Sequence, residues 1–261
     1  MNVDFASRSK IKELLRMKKS GQFIFFEGIH ALEEALLANY VPEYILIKDT
    51  DTLEKKFFKV KILETFLEKL RFLVVKEDVI KRLSSESSPT GIISVGNLPQ
   101  EKIFGPAPWI YLDKIQDPGN LGTILRGSLA FECGGIFLSE DSCNIYNPKV
   151  IRSSAGAFFK VPFKKKNFSD IVRDMDTSLK VFSFSPRAEK PFFSYSYDGS
   201  CLLVFGNEGK GISSEIEKLS YKTVYIPTQN VESLNVAMCV NIVLSFLYFK
   251  KINALILGEK L

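Results

Sequence analysis

Short apolar runs of four or five residues, each followed by a polar loop, are the feature that most restricts how this chain can fold. In the second half, the runs Trp109–Leu112, Gly135–Leu138 and Cys201–Phe205 alternate with segments of helical pattern. Runs that are apolar at every position are typical of strands buried on both faces of a parallel sheet, and the intervening helices cover those faces. The sequence therefore predicts an α/β fold with a parallel sheet, whose ligands bind beyond the carboxyl ends of the strands.

The first half of the chain repeats this alternation and is separated from the second half by a proline-containing segment. Its predicted strands are Phe23–Phe26, Tyr44–Ile47, Phe72–Val75 and Ile92–Val95. A basic amphipathic helix is predicted to begin near Ser7, and a long helical stretch is predicted to end at Leu70. Residues 98–108 hold three prolines and one glycine, a composition typical of domain boundaries. We predict one domain at residues 1–97, a linker at 98–108 and a second domain at 109–261.

Composition restricts the chemistry and the location of the protein. The four cysteines lie far apart and His30 is the only histidine, which argues against a zinc site, a disulfide framework or a multi-histidine centre. We therefore predict no metal and a reducing compartment. The longest apolar segment, Val236 to Phe249, runs about 14 residues and is shorter than a membrane span. Together with the absence of a signal peptide pattern, this predicts a cytoplasmic protein outside the membrane, and the net charge of +5 fits an anionic partner.

Three polar loops follow predicted strands. The first loop, residues 113–120, precedes a helix that carries a single arginine, Arg126. The second loop, residues 206–213, is rich in glycine but matches neither the phosphate-loop nor the dinucleotide fingerprint, which argues against a nucleotide-binding metabolic enzyme. Its acidic Glu208 would repel phosphate, so the loop favours a neutral or cationic ligand, although glycine loops often serve only as tight turns. The third loop, residues 226–235, contains Asn230 and Ser233, either of which can cap the last helix or contribute to a binding surface.

A fourth segment, residues 147–157, combines cationic and hydroxyl side chains. The sequence is equally consistent with a phosphate-contact patch and with an exposed helix end at Arg152, Ser153 and Ser154. A strand is predicted directly afterwards, near Phe158–Pro162. The run Lys164-Lys165-Lys166 is a further candidate for phosphate contacts, although charge runs are often solvated surface.

Taken together, the three loops resemble the motifs of the SpoU family of RNA ribose 2′-O-methyltransferases, within the SPOUT class. The matching residues are Asp117-Pro118-Gly119-Asn120-Leu121-Gly122 with Arg126, then Gly206-Asn207-Glu208-Gly209-Lys210-Gly211-Ile212, then Ile226-Pro227 with Ser233-Leu234-Asn235-Val236. The resemblance implies a deep trefoil knot in the second domain, S-adenosylmethionine as cofactor and a homodimer. The stretch Phe23–Ala38 resembles the small α/β domain, related to RNA-binding ribosomal proteins, with which many members bind substrate.

The resemblance also implies roles for particular residues. The implied catalytic residues are Asn120, Arg126, Glu208, Ser233 and Asn235. The implied cofactor-binding residues are Phe205, Gly206, Asn207, Gly209, Ile226, Pro227, Ser233, Leu234 and Asn235. The implied RNA-binding residues are Arg126, Arg152, Ser153, Ser154, Lys164 and Lys165. Since a guanidinium is not deprotonated in proteins, we assign Arg126 the role of a bidentate phosphate clamp that orients the 2′-hydroxyl, in preference to a general base.

The RNA substrate is inferred by analogy alone. Members with an extra N-terminal domain often act on ribosomal RNA, which we therefore expect ahead of transfer RNA. The third motif is one residue shorter than usual between Pro227 and Ser233. This departure favours a second reading, in which the chain is a knotted RNA-binding protein without catalytic turnover.

Overall fold

The computed structural model describes residues 2–50, 61–175 and 178–257, and the chain forms two compact units. The first unit comprises Met1–Gln100 together with Ile145–Lys160, and the second comprises Glu101–Asn144 together with Val161–Leu261. The segment 145–160 thus belongs to the first unit, although its sequence position places it inside the predicted second domain. The domain bounds of 1–97 and 109–261 stay predictions.

The elements are numbered along the chain. The strands are β1 Asn2–Phe5, β2 Phe23–Glu27, β3 Tyr44–Ile47, β4 Arg71–Val74, β5 Ile92–Asn97, β6 Trp109–Leu112, β7 Gly135–Leu138, β8 Phe163–Lys165, β9 Lys180–Phe184, β10 Cys201–Phe205 and β11 Lys222–Val224. The helices are α1 Arg8–Ser20, α2 Ile29–Leu37, α3 Lys61–Phe66, α4 Glu77–Leu83, α5 Pro118–Ala130, α6 Pro148–Ser153, α7 Phe168–Asp174, α8 Ser214–Leu219 and α9 Val236–Leu257. Short 3₁₀ helices lie at Ala157–Phe159 and Phe192–Ser194. Part of the long helical stretch predicted to end at Leu70 falls on residues outside the described ranges.

A mixed five-stranded sheet forms the first unit, in the order β1-β4-β3-β5-β2. The basic helix predicted from Ser7 is α1, which Ser7 caps by accepting a hydrogen bond from the Lys10 backbone N–H (3.2 Å), and which ends at Gly21 in the left-handed conformation (φ 71°). Its apolar face, with Leu14 and Met17, packs into the core of this unit. Segment 145–160 contributes to the same core, because Phe159 lies 5.1 Å from the Phe26 ring.

A six-stranded parallel sheet forms the second unit, in the order β11-β9-β10-β6-β7-β8. The predicted α/β class with a parallel sheet is confirmed. From β6 the chain proceeds through β7 to β8 on one side and then crosses to β9, β10 and β11 on the other. Strands β6 and β10 are neighbours, and Leu112 pairs with Phe205 in register. The first and second loops therefore leave the sheet side by side at the point where the strand order reverses, which is where open α/β sheets place their ligands.

One predicted strand differs from the structure around residue 160. The strand predicted near Phe158–Pro162 is wrong: residues 157–159 form a 3₁₀ helix and the strand β8 begins only at Phe163. The adjacent aromatic residues Phe158 and Phe159 are buried, so their apolar run reflects burial of a helical turn. A short apolar run does not distinguish these alternatives.

The last helix, α9, is longer than its apolar pattern suggested. It extends over 22 residues to Leu257, so the inference that this segment is too short for a membrane span is wrong on length. Within the described ranges it is the one helix long and apolar enough to cross a membrane, and only 17% of its most apolar stretch is buried. It packs against α5, where a Cβ on Gly127 would lie 1.4 Å from Asn241 Oδ1. Any side chain at residue 127 would therefore require the Asn241 side chain to move.

Candidate active site

The first loop is shaped by its two aspartates. Asp117 caps α5, since its Oδ1 accepts the backbone N–H of Asn120 (2.9 Å), and Pro118 occupies the first helical turn. The helix therefore begins at Pro118, three residues earlier than the sequence predicted, and Asn120 lies in its first turn. Asp113 is buried, and its Oδ2 accepts a hydrogen bond from the backbone N–H of Ser213 (2.9 Å). This hydrogen bond links the first loop to the second.

The second loop is a closed turn held by Asn207. Its Oδ1 accepts the backbone N–H groups of Gly209 and Lys210 (3.0 Å each), and its Nδ2 donates to the Lys114 carbonyl (2.8 Å). The backbones of Asn207 and Gly211 also exchange two hydrogen bonds. Both the side chain and the backbone of Asn207 thus hold the loop in shape, and the cofactor contact expected at this residue stays a prediction.

Hydrogen bonds between three side chains join the three loops. Asn120 Nδ2 donates to Glu208 Oε1 (2.8 Å), and Asn235 Nδ2 donates to Asn120 Oδ1 (3.0 Å). Asn235 Oδ1 accepts the backbone N–H of Ala237 (2.9 Å) at the start of α9. Since that N–H can only donate, it fixes the orientation of the Asn235 amide, and the orientation of the Asn120 amide follows from it. The structure thus brings together three of the five predicted catalytic residues, one from each loop.

The third loop supplies the cap of the last helix through Asn235. The sequence suggested Ser233 or Asn230 for that role; Asn230 instead adopts a left-handed conformation (φ 64°). Ser233 is exposed, and within the described part of the chain its hydroxyl makes no hydrogen bond. It is therefore available to a ligand, and its roles in cofactor binding and catalysis stay predictions.

Arg126 lies on the exposed side of α5. Asn120, Thr123 and Arg126 are three residues apart and form one row along the helix surface, while Leu121, Ile124 and Leu125 face the core. Among the described residues the Arg126 guanidinium has no hydrogen-bond or ion-pair partner. All five of its N–H donors are thus available to an anionic ligand.

The remaining predicted RNA-binding residues are already engaged. In the first unit, Arg152 forms an ion pair with Glu86, and Ser153 Oγ donates to the Lys149 carbonyl (2.6 Å). Ser154 is completely buried, and its hydroxyl donates to the Ile151 carbonyl (2.8 Å). We therefore remove Ser154 from the RNA-binding set, because it offers no surface to a ligand.

In the second unit, the predicted RNA-binding lysines also have partners. Lys164 forms an ion pair with Glu101 (2.8 Å), and Lys165 donates to the Glu140 carbonyl (2.9 Å). Both are exposed, so exchanging such surface partners for phosphate costs little. They stay in the predicted set.

Sequence reasoning missed a cavity of about 360 Å³ beside the first two loops. It is lined by Asp113, Lys114, Gln116, Asp141, Asn207, Lys210, Gly211, Ile212 and Ser213. Lys114 has a left-handed backbone (φ 58°), a conformation uncommon for residues with a side chain. The polar residues after Leu112 were the only sequence signal for this cavity, since its walls come from loops distant in the chain.

The cysteines of the second unit are poor candidates for a nucleophile. Burial raises the pKa of Cys133 to about 11 and that of Cys201 to about 12. Both thiols are thus protonated at neutral pH, and the thiolate is the reactive form. The side-chain groups left to act at the site are therefore amide, carboxylate and guanidinium groups.

Replacing the amide donor of Asn120 tests whether the hydrogen-bonded network stabilises the three loops. Asn120→Asp is isosteric but places a second carboxylate opposite Glu208, so we expect weakened ligand binding and reduced thermal stability. The double variant Asn120→Asp/Glu208→Gln restores the hydrogen bond with its direction reversed. We expect it to recover most of the lost melting temperature in differential scanning calorimetry. Equal destabilisation of the single and double variants would contradict the network's structural role.

Comparison with known proteins agrees with this arrangement. Residues 108–245 match the SpoU rRNA Methylase family. The match covers more than half of the chain and contains all three loops, so the chain belongs to this family.

Individual relatives are similar to this chain over more than the segment 108–245 that matches the family. The Bacillus subtilis 23S rRNA (guanosine(2553)-2′-O)-methyltransferase RlmP is 27% identical over 244 residues, which cover 90% of this chain and 94% of that protein. Among solved structures, a putative RNA methyltransferase of the TrmH family from Porphyromonas gingivalis is 26% identical, with a TM-score of 0.74 over 92% of this chain and 97% of its own. The SpoU methyltransferase AviRb from Streptomyces viridochromogenes, solved with AdoMet, has a TM-score of 0.80 at 19% identity, covering 94% of this chain and 99% of its own. At that identity the likeness shows the fold alone.

Proposed function

We propose that this protein transfers a methyl group from S-adenosylmethionine to a ribose 2′-hydroxyl of ribosomal RNA. The observation that carries the proposal is the hydrogen-bonded chain Glu208–Asn120–Asn235, which joins one residue from each loop in a member of the SpoU family. Relatives named as 23S rRNA 2′-O-methyltransferases support ribosomal RNA as the substrate.

The residues at the loop junction fit S-adenosylmethionine. The side chains that meet there are two amides and one carboxylate, a set that suits a cationic sulfonium better than a phosphate. The residues that would hold the cofactor are the backbone of Phe205–Gly209, together with Ile226, Pro227, Leu234 and the exposed hydroxyl of Ser233. The bound cofactor supplies an electrophilic methyl group.

The chain's own groups then position the acceptor. Arg126 binds a phosphate next to the target ribose through paired N–H donors and so holds the 2′-hydroxyl in line with the methyl group. It does not act as the base, because its guanidinium keeps its proton; the proton of the 2′-hydroxyl is released to solvent as the methyl group is transferred. Asn120, Glu208 and Asn235 fix the relative positions of the three loops, so that Arg126 and the cofactor-binding backbone keep their geometry.

The test uses methyl-labelled S-adenosylmethionine with unmodified ribosomal RNA and transfer RNA in separate assays. Nuclease digestion then assigns any label to ribose or base. Label on a ribose of ribosomal RNA supports the proposal, whereas label in transfer RNA alone would change the substrate. Absence of label together with absence of cofactor binding in calorimetry would favour the RNA-binding protein without turnover.

A second part of the proposal concerns assembly and location. We expect a homodimer with the family's trefoil knot, in the cytoplasm. Support for the dimer comes from α9, where large apolar side chains such as Met238 and Phe249 are more than half exposed and need a partner surface. The described cysteines are all free, which supports a reducing compartment.

We expect Met238→Lys/Phe249→Lys to convert the dimer to a monomer, because two charges would be buried at the interface. Light scattering after gel filtration without detergent measures the change. Leu219→Lys on α8, also half exposed, is the matched control and should stay dimeric. A wild-type protein that requires detergent would instead indicate that α9 enters a membrane.

A further inference from the structure

Four cations form a continuous row on the surface of α1. Arg8, Lys12, Arg16 and Lys19 are all exposed. At about 100° per residue, their spacings of four, four and three place them within an arc of about 80°. That arc lies opposite the buried Leu14 and Met17, and the row is about 16 Å long at 1.5 Å per residue.

The cations of this row have no partner in the described part of the chain, unlike the other lysines of the helix. Lys10 forms an ion pair with Glu13 (2.8 Å), and Lys18 donates to the Leu83 carbonyl (2.7 Å). Both of these engaged lysines lie on the side of the helix that faces the core. The helix thus uses its inner cations for structure and leaves its outer cations free.

Most of the row opposes the stability of the helix that carries it, although Lys19 lies in the last turn, where a cation interacts favourably with the helix dipole. Successive members at a spacing of four residues repel one another, and a cation at the amino end opposes the helix dipole. The first turn contains Arg8 and Lys10 but no acidic residue. An exposed helix surface that carries like charges against its own stability favours a role in binding an anion.

An exposed aromatic residue lies next to the row. Phe5, at the end of β1, is 82% exposed and precedes Arg8 by three residues, so their Cα atoms lie at most about 11 Å apart. Phosphate-binding cations beside an exposed aromatic ring are the combination that binds single-stranded RNA, whose bases stack on the ring. A membrane surface fits less well, because basic helices bind lipid through their apolar face and that face of α1 is packed in the core.

We propose that Phe5 and the cation row of α1 form a docking surface for a single-stranded segment of the RNA substrate. The backbone phosphates lie along Arg8, Lys12, Arg16 and Lys19, and one base stacks on Phe5. This proposal rests on the proposed function only in that it takes RNA as the substrate.

The experiment measures binding of fluorescein-labelled oligouridylate to the full chain by anisotropy, between about 50 and 200 mM KCl. Lys12→Gln/Arg16→Gln removes two phosphate contacts, so the slope of log K against log salt should become shallower by about 1.4. The affinity at low salt should fall on the order of 10-fold. Lys218→Gln/Lys222→Gln removes the same charge from exposed residues of α8 and β11 and should leave the slope unchanged. Equal effects of the two variants would overturn the proposal, since they would report net charge alone.

Variants of Phe5 test the base-stacking part of the proposal independently of charge. Phe5→Ala should weaken oligouridylate binding about 10-fold without changing the salt slope, and Phe5→Tyr should restore it, because stacking needs a ring and no charge. Unchanged affinity in Phe5→Ala would remove the aromatic part of the surface. Binding of the wild type to vesicles containing phosphatidylserine, with none to oligouridylate, would overturn the RNA assignment.

Methyl-transfer assays on unmodified ribosomal RNA separate this proposal from the proposed function. The Lys12→Gln/Arg16→Gln variant should raise KM on the order of 10-fold with kcat unchanged, because the row contributes binding alone. Turnover by the wild type with an unchanged KM in the variant would contradict the docking surface. Salt-dependent oligouridylate binding with no turnover on any RNA would refute the proposed function and leave the docking surface intact.

Discussion

The variant Arg126→Ala is expected to lose methyl transfer while it retains S-adenosylmethionine binding. Arg126 is exposed and has no partner among the residues that the structure describes, so removing it leaves no buried group unsatisfied and the fold should be unaffected. Loss of a positioned phosphate clamp should lower kcat by a factor on the order of 10²–10³. Single-turnover assays with methyl-labelled cofactor measure the loss, and calorimetry measures cofactor affinity.

Arg126→Lys distinguishes a bidentate clamp from a simple positive charge. Lysine keeps the charge but cannot form two parallel hydrogen bonds, so we expect activity about tenfold below the wild type and well above Arg126→Ala. Arg173→Ala removes an exposed arginine of α7 and controls for overall charge. Full turnover in Arg126→Ala would exclude the clamp, and loss of cofactor binding would mean that Arg126 acts on the cofactor side.

Three strands of the second unit could be predicted from the sequence because each is an apolar run bounded by polar residues, whereas β8, with two lysines among its three residues, was placed wrongly. Trp109–Leu112, Gly135–Leu138 and Cys201–Phe205 have the bounds that the runs suggested. In contrast, β1 was missed, since its four residues include Asn2 and Asp4 and form a strand only by pairing with β4. Whether such a segment forms a strand depends on the distant strand with which it pairs, and no local sequence pattern reveals that partner.

The candidate site shows the same division between local and long-range information. The motifs predicted Asn120, Glu208 and Asn235 as candidate catalytic residues, and the convergence of their loops follows from the parallel sheet. Which side chain faces which could not be predicted, because the pairing of Asn120 with Glu208 depends on the register of β6 against β10. Likewise, Ser154 was predicted to contact RNA because the sequence does not distinguish a buried serine from an exposed one.

The variant Gly206→Ala is expected to weaken S-adenosylmethionine binding strongly by changing the shape of the second loop. A Cβ at residue 206 would lie 2.3 Å from the carbonyl carbon of Gly211, and this neighbour is backbone that cannot rotate away. The turn must open, which breaks the bonds between Asn207 and Gly211 and moves Glu208 away from Asn120. Overpacking of this kind costs about 1–3 kcal/mol, so the dissociation constant should rise on the order of 10- to 100-fold.

Gly209→Ala is the matched variant in the same loop. Its Cβ would meet only Asn207 Oδ1, at an ordinary contact distance of 3.6 Å, so the turn can keep its shape. We expect it to bind S-adenosylmethionine at least about ten times more tightly than Gly206→Ala. Thermal unfolding of both variants checks that the sheet is intact, since the loop lies outside the core. Equal affinities would mean that the cofactor does not depend on this turn, and the site would then have to be sought at the cavity beside Asp113.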